Sequence, residues 1–488
     1  MALPDADPAA LAAEPSASSA SAPASPAPAA PPASPVPPAP ASNGRPAPAA
    51  GLPAPAPAPA PAPAAEPLAP APWTAPRVDG RGAAIRVTAV RTFLTAPHGC
   101  PHLIVRVETN DPGLYGLGCA SDPQRTLAVR SVLDDYIAPL LTGRDPDDIE
   151  DIHRLLLNSA YWRGGSITGN ALGGVDVALW DLKAKRLGAP LHSLFGGRVR
   201  AYAQAYTHVD GRDAEELADK VLAARARGYR HVRIQAAVPG ADTYGAAGGG
   251  ADPEAVRTRR APWDGAGYLR YVPGVLTRVR ELVGDDVELL HDVHERLDPR
   301  QAREFLRRVE DAGLYFAEDL LAPEDAGHFK RLHDASPVPL AVGELFHDPA
   351  QFTALLTGPD IDFARLRIPT LGGLTPARKL AALCELRGVR LAPHGPADVS
   401  PVAQAATLAL DISSPAFGVQ EAAVFKDAVH EVYPGTVTAA NGGLVPHETP
   451  GHGVDFDEAA ARRHPVPEPL AHDRWALLRN TDGSVQRP

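Results

Sequence analysis

From residue 201 onward the chain alternates short apolar runs with helix-like stretches, and few folds accept that rhythm. The runs are AYAQAYTHV, YRHVRIQ, VELLHDVH, LYFAED, PLAVGE, DFARLRI, VRLAPHG and FGVQEA. Stretches such as PRQAREFLRRVEDAG and TPARKLAALCELRG lie between most of them. Strands that alternate with helices pair in parallel, so these runs predict a barrel of parallel strands with helices outside. One connection breaks the pattern. AAVPGADTYGAAGGGADPEAVRTRRAPWDG follows the second run and is longer than loops in compact domains usually are. Its Gly-rich centre is expected to be a mobile lid.

The region before the barrel reads differently. AIRVTAVRTFL and HLIVRVET alternate as strands, and NDPG supplies turn chemistry after the second. RTLAVRSVLDDYIAPLL and SITGNALGGVDVALWDLKAKRLG read as helices, the latter stopped by Gly188 and Pro190. Residues 84–200 are therefore expected to form an α+β capping domain and 201–435 the barrel, with 436–488 returning to the cap. Residues 1–80 are nearly all Ala and Pro, lack apolar periodicity, and are expected to be a disordered, inert extension.

Composition narrows the partners. A chain of 488 residues, 44% hydrophobic and 22% charged, is ordinary for a soluble globular protein. Its formal charge of −11 argues against general binding to nucleic acid or anionic membranes. No apolar run is long enough to span a bilayer, and the start shows no secretory signal. The three cysteines, Cys100, Cys119 and Cys384, have no metal-type spacing and suit reduced thiols. A cytoplasmic protein, a homo-oligomer with a small-molecule ligand, is the expectation.

In parallel barrels of this kind, chemistry sits at the C-terminal ends of the strands. The third strand offers Asp292 and His294, which share one face if the strand runs through both. The fourth offers Glu318 and the fifth Glu344, each 26 residues after the acid before it. Three carboxylates converging without a cation would repel one another, whereas a hard divalent ion with an oxygen shell makes the arrangement sensible.

This pattern resembles the enolase superfamily, and most closely its mannonate dehydratase group, the sugar-acid dehydratases or starvation-sensing-type proteins. The stretches that carry the resemblance are YWRGGSITGNALGGVDVALWDLKAK, YTHVDG, HVRIQ, TYG, LLHDVHERL, AEDLLAPED, GELF, HGPADVSP and FGVQE. It implies a modified (β/α)7β barrel under an α+β capping domain, with Mg²⁺ on Asp292, Glu318 and Glu344. It also implies abstraction of the proton next to a carboxylate, then loss of the neighbouring hydroxyl to give a 2-keto-3-deoxy acid. Arg233 stands where many relatives have a lysine base. The resemblance implies Tyr244 as the base in its place, with Arg233 lowering the pKa of the phenol. His294 is implied as the general acid. His208, Arg365, His394, Asp398 and Glu421 match positions that contact substrate, as does Glu344.

Three departures concern specificity. Pro123, in ASDPQRTLAV, stands where efficient members of the group carry an asparagine. Pro396, in HGPAD, stands where mannonate-specific members have alanine. The chain ends DGSVQRP without the tryptophan that closes the pocket in relatives, and Trp475 is not a match for it. A misplaced substrate loses rate steeply, so activity on D-mannonate is expected to be low or undetectable, with D-gluconate or D-galactonate as alternatives. Two competing readings stand beside the dehydratase. One is dehydration or epimerisation of another acid with His394 as base, and the other is a metabolite-binding relative with little turnover.

Overall fold

A three-stranded antiparallel sheet comes first among the described residues: β1 (Val87–Thr95), β2 (His102–Thr109) and β3 (Tyr115–Cys119). The computed structural model describes residues 84–241, 243–244, 262–467 and 478–487. The Ala/Pro-rich extension, the Gly-rich centre of the long connection and Trp475 lie outside the described residues. The sequence YGLGC makes β3 thin at its glycines. A Cβ on Gly118 would lie 1.8 Å from the Gly174 carbonyl oxygen, and one on Gly116 would lie 1.9 Å from that of Ala178. Only glycine there lets the helix Ser166–Leu187 press its backbone onto the sheet. That helix ends as its sequence predicts, at Gly188 in the left-handed region with φ 64°.

The opposite side of the same helix meets the barrel just as closely. Cβ atoms on Gly169 and Gly173 would lie 2.0 and 2.2 Å from the carbonyl oxygens of Thr370 and Pro369. Asp176 Oδ1 accepts the Thr375 N–H at 2.9 Å, and Trp180 Nε1 donates to Thr375 Oγ1 at 2.9 Å. Its central residues, from Gly169 to Leu182, are all buried, which explains why its sequence shows no clean polar face.

The barrel consists of β4 (Ala203–Gly211), β5 (His231–Ala236), β6 (Glu288–Asp292), β7 (Leu314–Glu318), β8 (Leu340–Val342), β9 (Phe363–Ala364), β10 (Arg390–Leu391) and β11 (Gln420–Glu421). All pair in parallel, in chain order from β4 to β10, with β11 on the other side of β4. A parallel bridge between Leu391 and Phe417 closes the ring. Outer helices begin where the sequence marks them. Asp298 and Asp348 each cap a helix in reciprocal hydrogen bonds with Gln301 and Gln351, with proline in the first turn.

After β11 a short strand, β12 (Gly443–Leu444), pairs antiparallel with β4. The chain then reaches the first sheet, where Thr95 Oγ1 donates to the Ala461 carbonyl at 3.0 Å and Tyr115 donates to Asp455 at 2.7 Å. Cys100, Cys119 and Cys384 are free thiols. No helix among the described residues is long and apolar enough to cross a membrane.

Candidate active site

Successive strands deliver one or two polar side chains each to the same end of the barrel. His208 comes from β4, Arg233 from β5, Asp292 from β6, Glu318 from β7 and Glu421 from β11. Glu344, Arg365 and His394 follow β8, β9 and β10 by one to three residues. Asp292 and Glu318 are register partners on adjacent strands. Their carboxylates and that of Asp319 each offer an oxygen within 4.8 Å of the others.

Asp319 was not singled out in the sequence, and strand alternation explains why. As the neighbour of Glu318 it should face the other way. The strand ends at Glu318, however, and Asp319 adopts φ 42°, which turns its carboxylate back to the group. Two consecutive acids at a strand end were the available signal. Glu344 is linked to the same group through one nitrogen: its Oε2 lies 2.9 Å from Arg365 Nη2, which lies 2.9 Å from Glu318 Oε1 and 3.0 Å from Glu421 Oε2. Arg365, wholly buried, is wedged among these three acids as an internal counter-charge.

His294 also reaches the site by a different route from the one expected. β6 stops at Asp292, so the two side chains do not share a strand face. His294 and Glu295 instead take φ values of 56° and 54°, and the His294 amide donates to Asp292 Oδ1 at 2.7 Å. Consecutive non-glycine residues in the left-handed region cost about 1–3 kcal/mol each and persist only where surrounding contacts enforce them. Here the Glu295 amide donates to the Asp319 carbonyl at 2.6 Å. Tyr244 lies on His294 ring to ring, with centroids 3.6 Å apart and planes within 7°.

Arg233 holds the centre. Its Nη1 lies 2.7 Å from Glu318 Oε1 and 3.3 Å from Asp292 Oδ2, and its guanidinium carbon is 5.9 Å from the Tyr244 ring centroid. His208 Nε2 pairs with Glu421 Oε1 at 2.8 Å, while its Nδ1 faces Arg233 Nη2 at 3.4 Å. Burial holds the His208 pKa below its ordinary value, so the neutral ring donates to Glu421 through Nε2. Opposing influences act on the Tyr244 phenol. Burial raises it, Arg233 pulls it down, and Asp292, Glu344 and Glu421 raise it again, leaving it well above the usual phenol value.

The carboxylates divide into two sets. Burial raises all of them, but His294 and Arg233 bring Asp292 below its ordinary range, and His394 and His208 do the same for Glu421. Glu344 is lowered overall, with His394 and Arg365 outweighing its burial. For Glu318, burial and the neighbouring acids outweigh Arg365 and Arg233, and Asp319 is raised by burial and by Glu344. Glu318 Oε2 and Asp319 Oδ2 are buried without a hydrogen-bond partner. Two orphaned oxygens in an all-carboxylate group fit a hard divalent cation, which satisfies such lone pairs and keeps both acids ionised.

The remaining candidates line the same mouth. His394 Nε2 is 3.6 Å from Glu344 Oε2, and the Gly395 amide donates to Glu421 Oε2 at 3.1 Å. Asp398 Oδ2 is 3.5 Å from Arg367 Nη2, while its Oδ1 is buried and unpartnered. Pro396 is half-buried in the same turn, and its carbonyl accepts the Val399 N–H at 3.1 Å. Pro123 is half-buried in the cap turn that follows Ser121, where Asp122 Oδ1 accepts the N–H groups of Gln124 and Arg125 at 3.0 and 2.8 Å.

Comparison with known proteins places this geometry. Residues 83–196 match the mandelate racemase / muconate lactonizing enzyme, N-terminal domain family. Residues 216–460 match the enolase C-terminal domain-like family. A D-galactonate dehydratase family member from Streptomyces sp. (strain SPB78) is 67% identical over 425 residues, spanning 87% of this chain and 96% of that protein. Another from Catenulispora acidiphila is 46% identical over 429 residues, spanning 87% and 98%. The crystal structure of an enolase from Pantoea ananatis with bound D-gluconate and Mg superposes with a TM-score of 0.78. It is 39% identical and covers 83% of this chain and 100% of that one.

Proposed function

We propose a function from one established premise: this chain belongs to the enolase superfamily and, within it, to the D-galactonate dehydratase family. The protein is a sugar-acid dehydratase, a hydro-lyase that uses Mg²⁺ and acts on an aldonate such as D-gluconate. The observation that carries this reading is the buried trio Asp292, Glu318 and Asp319 on adjacent strand ends, with the stacked Tyr244–His294 pair beside it. Asp292 and Glu318 would hold the metal, with Asp319 or Glu344 completing the set. When bound, the ion supplies positive charge beside the substrate carboxylate and so acidifies its α-proton.

Tyr244, as phenolate, takes the proton from C2. The electron pair of that C–H bond forms the C2–C3 double bond as the 3-hydroxyl departs, protonated by His294 to leave as water. The resulting enol ketonises to the 2-keto-3-deoxy acid. Arg233, 5.9 Å from the Tyr244 ring, favours the phenolate against its burial, and a cation on Asp292 would offset part of the opposing influence of the acids. His208, Arg365, His394, Asp398 and Glu421 orient the hydroxylated chain. Pro396 lacks an amide hydrogen and restricts Gly395, so the turn that carries His394 and Asp398 is set for a substrate other than D-mannonate.

A second reading is favoured by one observation. Arg365 and Arg233 already balance the acids from within, which suits a metabolite-binding protein with little turnover. A screen of aldonates with Mg²⁺ for 2-keto-3-deoxy products separates the two. Turnover of D-gluconate or D-galactonate that disappears in Tyr244→Phe and in His294→Asn is the expected result. Binding without product refutes the dehydratase, and efficient use of D-mannonate refutes the specificity argument.

A further inference from the structure

The turn 395–398 is held from two sides. Inside, the Gly395 amide is fixed to Glu421. Outside, the Ala397 carbonyl accepts from His102 Nε2 at 3.0 Å and from Cys100 Sγ at 3.2 Å, both residues of the cap. His102 is completely buried, and its Nδ1 lies 3.1 Å from the Tyr433 hydroxyl. With Tyr433 donating to Nδ1, the imidazole is left with one N–H, aimed at Ala397.

A second cap contact falls on Asp398 itself. Arg367, buried three residues past β9, directs Nη2 to the Ser121 carbonyl at 3.2 Å and to Asp398 Oδ2 at 3.5 Å. Its Nη1 donates to Thr370 Oγ1 at 3.1 Å, and Thr370 in turn donates to Asn170 Oδ1 of the cap helix at 3.3 Å. Ser121 opens the turn that contains Pro123, and Asp398 closes the turn that contains Pro396. One guanidinium therefore joins two of the three places where the sequence departs from its group. Because Oδ2 is occupied by Arg367, Asp398 is left with Oδ1, buried and unpartnered, as its acceptor for a ligand hydroxyl.

We infer that Arg367 and His102 are positioning residues that fasten the 395–398 turn to the cap and thereby set which sugar-acid epimer is accepted. The inference deepens the dehydratase reading and rests on it for the substrate class alone. Neither residue needs to touch substrate. Arg367 fixes the direction of Asp398 Oδ1, and His102 fixes the height of the turn above the barrel mouth. A shift of either moves the hydroxyl acceptor relative to the metal-binding acids, which do not move.

The test uses the full-length protein with Mg²⁺, comparing Arg367→Met, Arg367→Lys and His102→Phe with wild type. Hydrogen exchange across residues 395–399 is followed first, because it needs no turnover. Exchange there is expected to accelerate in Arg367→Met and His102→Phe by about tenfold or more, the loss of a charged or buried hydrogen bond. On D-gluconate and D-galactonate, Arg367→Met is expected to raise KM by about tenfold, keep kcat within a few-fold, and change the ratio of kcat/KM between the two acids. Arg367→Lys, which keeps the charge, is expected to recover part of that ratio. Wild-type exchange rates and an unchanged ratio in both Arg367→Met and His102→Phe overturn the inference. So does a proportional loss of kcat on both acids with an unchanged ratio, which marks a merely structural residue. If wild type turns over no aldonate, the dehydratase reading fails, and the exchange rates still decide the clamp.

Discussion

Asp176 sits midway along the buried cap helix with its carboxylate against the first turn of the barrel helix Leu374–Arg387, and Asp176→Asn turns that contact into a measurable pH dependence. Burial raises its pKa from 3.8 to about 7, even though Thr375 donates to Oδ1. A raised acid favours the protonated native form, so the group is harmless below the unfolded value. Stability is lost as pH rises from there through about 7. At 1.36 kcal/mol per tenfold in proton affinity, the full penalty is about 4 kcal/mol, of which roughly 1.5 is present at pH 5 and nearly all at pH 8. Asparagine keeps the acceptor for Thr375 and never ionises, so its advantage should grow by about 2–3 kcal/mol between those pH values. For a folded region of roughly 400 residues, that is a difference of about 3 °C in melting temperature. Thermal melts of both proteins at pH 5 and pH 8 give the comparison directly. An equal difference at the two pH values, or a larger loss for asparagine at pH 8, refutes the reasoning. It would mean that the helix N-terminus, which attracts anions, holds the carboxylate ionised against burial.

Glu318→Gln removes a charge from the trio, and calorimetric titration should show Mg²⁺ affinity reduced at least tenfold or so; wild-type affinity would sink the metal assignment. Gly118→Ala drives a methyl group into the Gly174 carbonyl, 1.8 Å from the ideal Cβ position, and should cost about 3 kcal/mol or more, read as a fall in melting temperature. A wild-type melt for that variant would mean the cap sheet and helix separate more easily than their contact suggests.

Hydrophobic period was enough to locate the barrel strands, since each is an apolar run bounded by turn residues and its register is forced by its two neighbours. The strand-end acids followed from that framework by position alone. What the sequence hid were features in which the backbone leaves the regular period. His294 and Asp319 are aimed by left-handed residues just past their strands; alternation gives His294 the right face for a reason that does not hold and Asp319 the wrong one. Arg365 reads in sequence as a substrate contact, and the ion pairs it also makes with Glu318 and Glu344 have no signal in the sequence. For the Tyr244 phenol, the arginine that lowers it was visible in the sequence, but the burial and three carboxylates that raise it were not. The Ser121–Arg367–Asp398 bridge spans more than two hundred residues and has no local signature.

The helix Ser166–Leu187, pressed between β3 and the barrel loop at Pro369 and Thr370, has a consequence for how the molecule comes apart. Its side chains join a single apolar cluster that runs from Val105 and Leu117 of the first sheet through Leu179 to Ile368 and Leu374. Interfaces between independent domains are ordinarily smaller and more polar, so their partners can melt separately. Here the first sheet cannot lift away without stripping the helix from the barrel and exposing glycine-lined backbone on both of its sides. Calorimetry should therefore record one cooperative endotherm for residues 84–467. Amide exchange in β2 and in β6 should slow together when a ligand binds, because opening either one opens both.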